Sequence, residues 1–131
     1  MKIGFTGTRK GMTQHQKEQF VLKMQELIPV EFHHGDCVGA DEEAHNIIRE
    51  FFPNSVNIYV HPPKAMSQQA NKCGDVHHAP EAYLKRDKII VDSTDCLIAA
   101  PHSNTEILRS GTWATIRYAR KKNKPIFILE R

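Results

Sequence analysis

The sequence lacks paired cysteines, a membrane-length apolar run and a strong charge of either sign. Its three cysteines, Cys37, Cys73 and Cys96, are odd in number and show no C-x-x-C spacing. That excludes a disulfide scaffold and points to free thiols in a reducing, cytoplasmic setting. The apolar runs are strand-sized, far below the ~20 residues of a membrane span, and no apolar leader follows Met1-Lys2. No membrane partner is therefore expected. The formal charge is only +3. The basic residues that cluster, Arg117, Arg120, Lys121, Lys122 and Lys124, fall at the end of an expected helix, where cations complement the carbonyl dipole, and read as a solvated face. Aromatics are not interleaved with them as a single-strand platform requires, so nucleic acid is not the expected partner. Eight histidines raise the question of a metal. Cys73 with His77 and His78, and the separate His33-His34, do not form the two ligand pairs of a zinc site, so neither metal nor cofactor is expected. Missing too are G-x-G-x-x-G and G-x-x-x-x-G-K-[ST], the main support for dinucleotide or ATPase readings.

What is present fits one α/β domain over residues 1–131. Its 131 residues, 40% of them hydrophobic, can bury one core without a disulfide or metal. Strand-sized apolar runs alternate with helical periods, the pattern of a parallel sheet covered on both faces. Strands are expected at 2–6, 30–34, 55–60, 95–100 and 124–129. Thr13 can cap a helix carrying Phe20, Val21, Met24, Leu27 and Ile28 on one side and ending at Pro29. A second helix begins near Asp41 and carries Ala44, Ile47, Ile48 and Phe51. A third starts at Pro80, and a fourth near Ser110-Gly111-Thr112. This predicts a Rossmann-like, three-layer fold with a parallel sheet of about five strands. Between His61 and Ala79 no period is evident, and an irregular connection of that length reads as a lid.

Three strand-to-helix turns carry small, polar residues: Thr6-Gly7-Thr8-Arg9, Gly35-Asp36-Cys37-Val38-Gly39-Ala40-Asp41 and Ser110-Gly111-Thr112. In a parallel sheet all three open on one edge. Glycine admits close backbone approach, free N–H groups at a helix start attract anions, and Thr8, Ser110 and Thr112 add hydroxyls. Arg9 can supply a bidentate phosphate contact. Tight turns and helix caps explain any one of these singly; their coincidence points to a phosphate-bearing ligand.

These turns, together with Tyr83-Leu84-Lys85-Arg86-Asp87, Asp95-Cys96-Leu97-Ile98-Ala99-Ala100-Pro101 and the run from Ser110 to Ala119, resemble the SLOG superfamily near its YspA/YpsA-related branch. The resemblance spans nearly the whole chain. It implies a nucleotide-derived small-molecule ligand, a homodimer, and a ligand site drawn from Thr6, Gly7, Thr8, Arg9, Gly35, Asp36, Gly39, Asp41, Arg86, Pro101, Ser110, Gly111 and Thr112. Relatives include the Lonely Guy phosphoribohydrolases and the DNA-processing protein of natural transformation. The hydrolases carry a catalytic glutamate in G-G-x-G-T-x-x-E, where this chain has Thr115, and a hydroxyl cannot replace that carboxylate. Ligand sensing, sequestration or processing is therefore expected ahead of N-glycoside hydrolysis of a nucleoside monophosphate, with single-stranded nucleic-acid binding as a further alternative. Asp36, Asp41 and Glu106 are the carboxylates that could substitute, and each has a structural explanation: turn, cap and solvated surface. Arg86 reads either as an ion pair with Asp87 or, by the resemblance, as a phosphate contact.

Overall fold

Alternating buried strands and one-faced helices give the expected layers in the computed structural model, which describes residues 1–131. In chain order the elements are β1 (Lys2–Gly7), α1 (Gln14–Leu27), β2 (Glu31–His34), α2 (Ala40–Phe51), β3 (Asn57–Val60), β4 (Val76–His77), α3 (Tyr83–Asp92), β5 (Cys96–Ala100), α4 (Gly111–Lys121) and β6 (Ile126–Ile128). The strands form one sheet in the order β4-β3-β2-β1-β5-β6, and every pairing is parallel. The chain steps outward from β1 to β4 and then crosses to the other side of β1 with β5. The order thus reverses beside β1, which is where ligands enter open α/β sheets.

One face of the sheet packs Ile3, Phe5, Phe32 and Ile58 against Phe20 and Met24 of α1 and Ala44 and Ile48 of α2. The rings of Phe5, Phe20 and Phe32 lie 5.5–5.7 Å apart in edge and tilted contacts. The other face packs Leu97 and Ala99 against Val91 of α3 and Trp113, Ile116 and Ala119 of α4. No helix is long and apolar enough to cross a membrane.

Thr13 caps α1 as its sequence position suggests. Its hydroxyl accepts from Gln16 N–H (3.1 Å), and Gln16 Oε1 accepts from Thr13 N–H (3.0 Å), a reciprocal capping box. Thr13→Ala is expected to lower unfolding free energy by about 1 kcal/mol; urea denaturation showing no change would remove this role.

Two expectations need correction. Residues Pro80 to Ala82 stay extended and α3 begins at Tyr83, because Lys64 N–H donates to Glu81 O (3.1 Å) and Glu81 N–H to Pro62 O (3.2 Å). The stretch His61 to Ala79 is not a free lid. It supplies a sixth strand, β4, and is fastened along its length. Val38 N–H donates to Gln68 O (3.0 Å) and Ala70 N–H to Asp36 O (2.7 Å). Lys72 N–H donates to Asp36 Oδ1 (2.9 Å), and Ile58 N–H to Asp75 Oδ2 (2.8 Å). Segments this short carry no period, so the pairing is invisible along the chain.

Candidate functional site

The first two turns are pressed against each other, and glycine makes this approach possible. A Cβ on Gly7 would stand 2.5 Å from Ala40 Cβ, and one on Gly39, whose φ is +94°, would stand 2.3 Å from Arg9 O. Ala40 N–H donates to Thr8 O (2.9 Å), and Thr8 N–H to Ala100 O (3.0 Å), tying the ends of β1 and β5 to the start of α2. Thr6 lies just below, paired with Ala99 and nearly buried.

Four N–H groups of the second turn are engaged within the chain. Asp36 N–H meets His34 Nδ1 (2.9 Å), Cys37 N–H meets Asp41 Oδ2 (3.2 Å), and Val38 and Ala40 are bonded as above. Asp36, held at φ +52°, anchors residues 70–72 through its carbonyl and carboxylate. Asp41 is buried beside Arg86, and its Oδ1 has no partner. Burial raises its carboxyl to about 7, against the opposing pull of the Arg86 guanidinium. Asp41 thus braces its turn from inside α2, and Gly39 stands at the cap position without a side-chain bond.

Arg86 lies under this turn. Its Nη1 donates to the carbonyls of Gly35 and His61, the latter at 3.1 Å, and its Nε donates to Asp87 Oδ1 at 2.7 Å. Cys37 Sγ lies 3.7–3.8 Å from its terminal nitrogens. A Cβ on Gly35 would fall 2.2 Å from Nη1, so the guanidinium needs glycine there. Arg86 and Asp87 form an ion pair, and it is buried rather than on the surface.

The third turn is open. Ser110 caps α4 through Trp113 N–H (3.2 Å), while the N–H groups of Gly111 and Thr112 have no acceptor in the chain. A Cβ on Gly111 would meet no atom within 4 Å. Arg9 is exposed, pairs with no carboxylate, and rests its guanidinium 4.5 Å from the centre of the Tyr83 ring. Lys10 Nζ is 3.3 Å from His102 Nε2, which follows Pro101 at the end of β5. Pro101 itself is buried, its carbonyl accepting from Gln16 Nε2 at 3.0 Å.

A carboxylate does stand beside Thr115. Thr115 Oγ1 is 3.0 Å from both Asp87 Oδ2 and Gly111 O, and burial raises the Asp87 carboxyl above its ordinary range. Asp87 belongs to α3, so motif spacing around Thr115 could not reveal it. Glu106 is solvated and bonded to Arg117 (2.9 Å) and Arg120 (3.3 Å). The buried histidines are likewise paired across the fold, His33 Nδ1 with His61 Nε2 (2.8 Å) and His34 Nε2 with His45 Nδ1 (2.9 Å). His78 stacks on His61 at 4.1 Å.

No family model matches the chain, and no curated protein matches it. Among solved structures, DNA processing protein A (DprA) from Streptococcus pneumoniae superposes with a TM-score of 0.69 over 97% of this chain, at 17% identity. The chain has the DprA fold. It spans 49% of the length of that DprA chain. At this identity the likeness shows the fold alone and says nothing about a ligand.

Proposed function

We propose that the chain binds a phosphate-bearing, nucleotide-derived small molecule at the carboxyl edge of the sheet, between the turn after β1 and the start of α4. The observation that carries this reading is Arg9, a cation with no carboxylate partner, at the switch point whose far side presents the free N–H groups of Gly111 and Thr112. A guanidinium and a helix start are complementary to phosphate. Thr8, Ser110 and Thr112 add hydroxyls, and the buried Arg86 and the second turn hold the frame. The role is sensing, sequestration or processing of that ligand, in line with the SLOG resemblance and the DprA fold.

The test is a thermal-shift panel of nucleoside mono- and diphosphates, ADP-ribose and its cyclic forms, and cyclic dinucleotides, with the free bases as controls. A ligand at a hundredfold excess over its Kd stabilises the folded state by about 2.7 kcal/mol, a shift of roughly 8 °C for a domain of this size. At least one phosphate ligand should reach it and the bases should not. Arg9→Ala removes a charge-assisted contact and should weaken the hit about 10- to 100-fold. Silence across the panel, or an Arg9→Ala protein with unchanged affinity, rejects the reading.

Asp87 favours a second reading, N-glycoside hydrolysis of a nucleoside monophosphate, because it brings a carboxylate to the position beside Thr115. Base release that grows with protein concentration and disappears in Asp87→Asn would establish it. An intact ligand after prolonged incubation leaves binding alone.

A further inference from the structure

The turns after β1 and β5 leave the sheet side by side, since Thr8 N–H still donates to Ala100 O (3.0 Å). Together they carry more cationic and donor groups than one phosphate can use. Arg9 leans toward α3, onto the Tyr83 ring. Lys10, the next residue, reaches across to the turn after β5 instead, where its Nζ lies 3.3 Å from His102 Nε2. The Thr8 hydroxyl holds the Lys10 main chain by accepting from its N–H (3.1 Å). At the heads of the two turns, the N–H groups of Arg9 and His102 have no acceptor in the chain.

No counter-charge accounts for the Lys10–His102 contact. Neither side chain meets a carboxylate. The carboxylate that does reach this turn, Glu43, is engaged by Met12 N–H (2.6 Å) and by Lys17 (3.3 Å). Lys10 therefore rests on a neutral imidazole, the ammonium donating and the Nε2 lone pair accepting. Lys10 first, then desolvation and Arg131, lower the His102 pKa. Both charged groups acting on the ring are cations, which keeps it in its neutral form. An anion laid against the pair reverses the balance. It accepts from the ammonium and from Nε2, which takes up a proton from solvent and becomes a second charged donor. Arg9 and Lys10 are consecutive residues, with Cα atoms about 3.8 Å apart, so the two anion positions are built on adjoining residues of one turn. Two phosphoryl groups joined by a bridging oxygen can occupy both at once; a monophosphate can occupy only one.

Given the phosphate site proposed above, we infer that Lys10 and His102 form a second phosphoryl subsite and that the ligand is a diphosphate, a nucleoside diphosphate or an ester of one. One phosphoryl group lies on Arg9 and the start of α4. The other lies on Lys10 Nζ, His102 Nε2 and the free His102 N–H, over the ends of β1 and β5.

Nuclear magnetic resonance titrations of the whole chain with inorganic pyrophosphate and with inorganic phosphate test this. Lys10 and His102 are exposed, so Lys10→Ala and His102→Ala should keep the native circular dichroism. The native protein should bind pyrophosphate about tenfold or more tightly than phosphate, since the second group adds charge-assisted contacts. Each variant should lose about tenfold for pyrophosphate and change by less than about twofold for phosphate. Arg9→Ala should weaken both anions, and Lys121→Ala, an exposed lysine of α4, should weaken neither. The His102 ring, assigned by its loss in His102→Ala, should titrate at higher pH with pyrophosphate bound and at its free-protein midpoint with phosphate. Equal affinity for the two anions overturns the second subsite, and so does a pyrophosphate preference that survives both variants or that Lys121→Ala reduces as much as they do. Those results leave Arg9-dependent phosphate binding, and with it the proposed function, in place. Binding of neither anion overturns the two together.

Discussion

Replacing Arg86 by alanine is expected to cost about 3–5 kcal/mol of folding stability, the range for breaking a buried ion pair by removing one partner. Domains of this kind have only about 5–15 kcal/mol in total. The residue is 5% exposed, and its guanidinium is the donor for the Gly35 and His61 carbonyls and the counter-charge for Asp87 and Asp41. Alanine leaves both carbonyls unfilled and two buried carboxyls without a cation. Arg86→Lys keeps the charge but loses the fork, since one ammonium cannot serve the carbonyls and Asp87 in their present directions, and it should fall between wild type and alanine. Urea unfolding of the three proteins measures this. A loss below about 1 kcal/mol for Arg86→Ala would mean that the turn after β2 is held by something other than this side chain.

Acidification is the second large effect. His33, His34, His45 and His61 are each no more than 3% exposed. Burial lowers all four, His45 to about 4 and His61 to about 3, from an ordinary value of 6.5. The folded protein therefore holds them neutral while the unfolded chain protonates below pH 6.5. The stability they contribute is present above that pH and is lost as pH falls toward the folded values. Asp41 acts oppositely: raised to about 7, it takes up its proton in the folded state first, so acidification from 7 toward 4 favours folding through this group. Four imidazoles outweigh it, with Asp36 and Asp87, which burial also raises, reducing the balance further. A net excess of one to two protons on the unfolded chain gives a slope of roughly 1.4–3 kcal/mol per pH unit between pH 6 and 4. Denaturation midpoints that stay level from pH 7 to pH 5 would contradict this account.

The parts of this fold that were legible in the sequence are those with local signals. Thr13 announces the start of α1, the buried runs of β1 and β5 stand out, and the glycines at 7, 35 and 39 mark turns whose crowding the structure explains atom by atom. What was not legible depends on residues that meet only through the fold. Val76–His77 is too short to show a strand period. His33 finds His61 across 28 positions, and His34 finds His45 across 11. Arg86 carries no local signal of its direction, since a long side chain can swing to solvent or inward, and the missing Cβ of Gly35, in another segment, leaves the room into which it turns. The second turn shows the same dependence: the partners of four of its N–H groups, His34, Asp41, Gln68 and Thr8, are brought to it by the fold. The contact of Asp87 with Thr115 has no signature in the sequence because the two sit on different helices.

The Arg86 hub also bears on the order of events during folding. It joins positions 35, 37, 61 and 86, and β1 cannot be flanked on both sides until β5 has arrived. The first half of the chain can form helices early, yet its Asp41 has no compensating cation until α3 docks. Contacts of such long range are slow to close, because chain entropy is lost before they repay it. Assembly should therefore be a late, all-or-none condensation rather than a stepwise growth from the N-terminal strands, with Arg86 placed where the transition state is still loose. Arg86→Ala would then act mainly by accelerating unfolding and leave the refolding rate close to that of the parent.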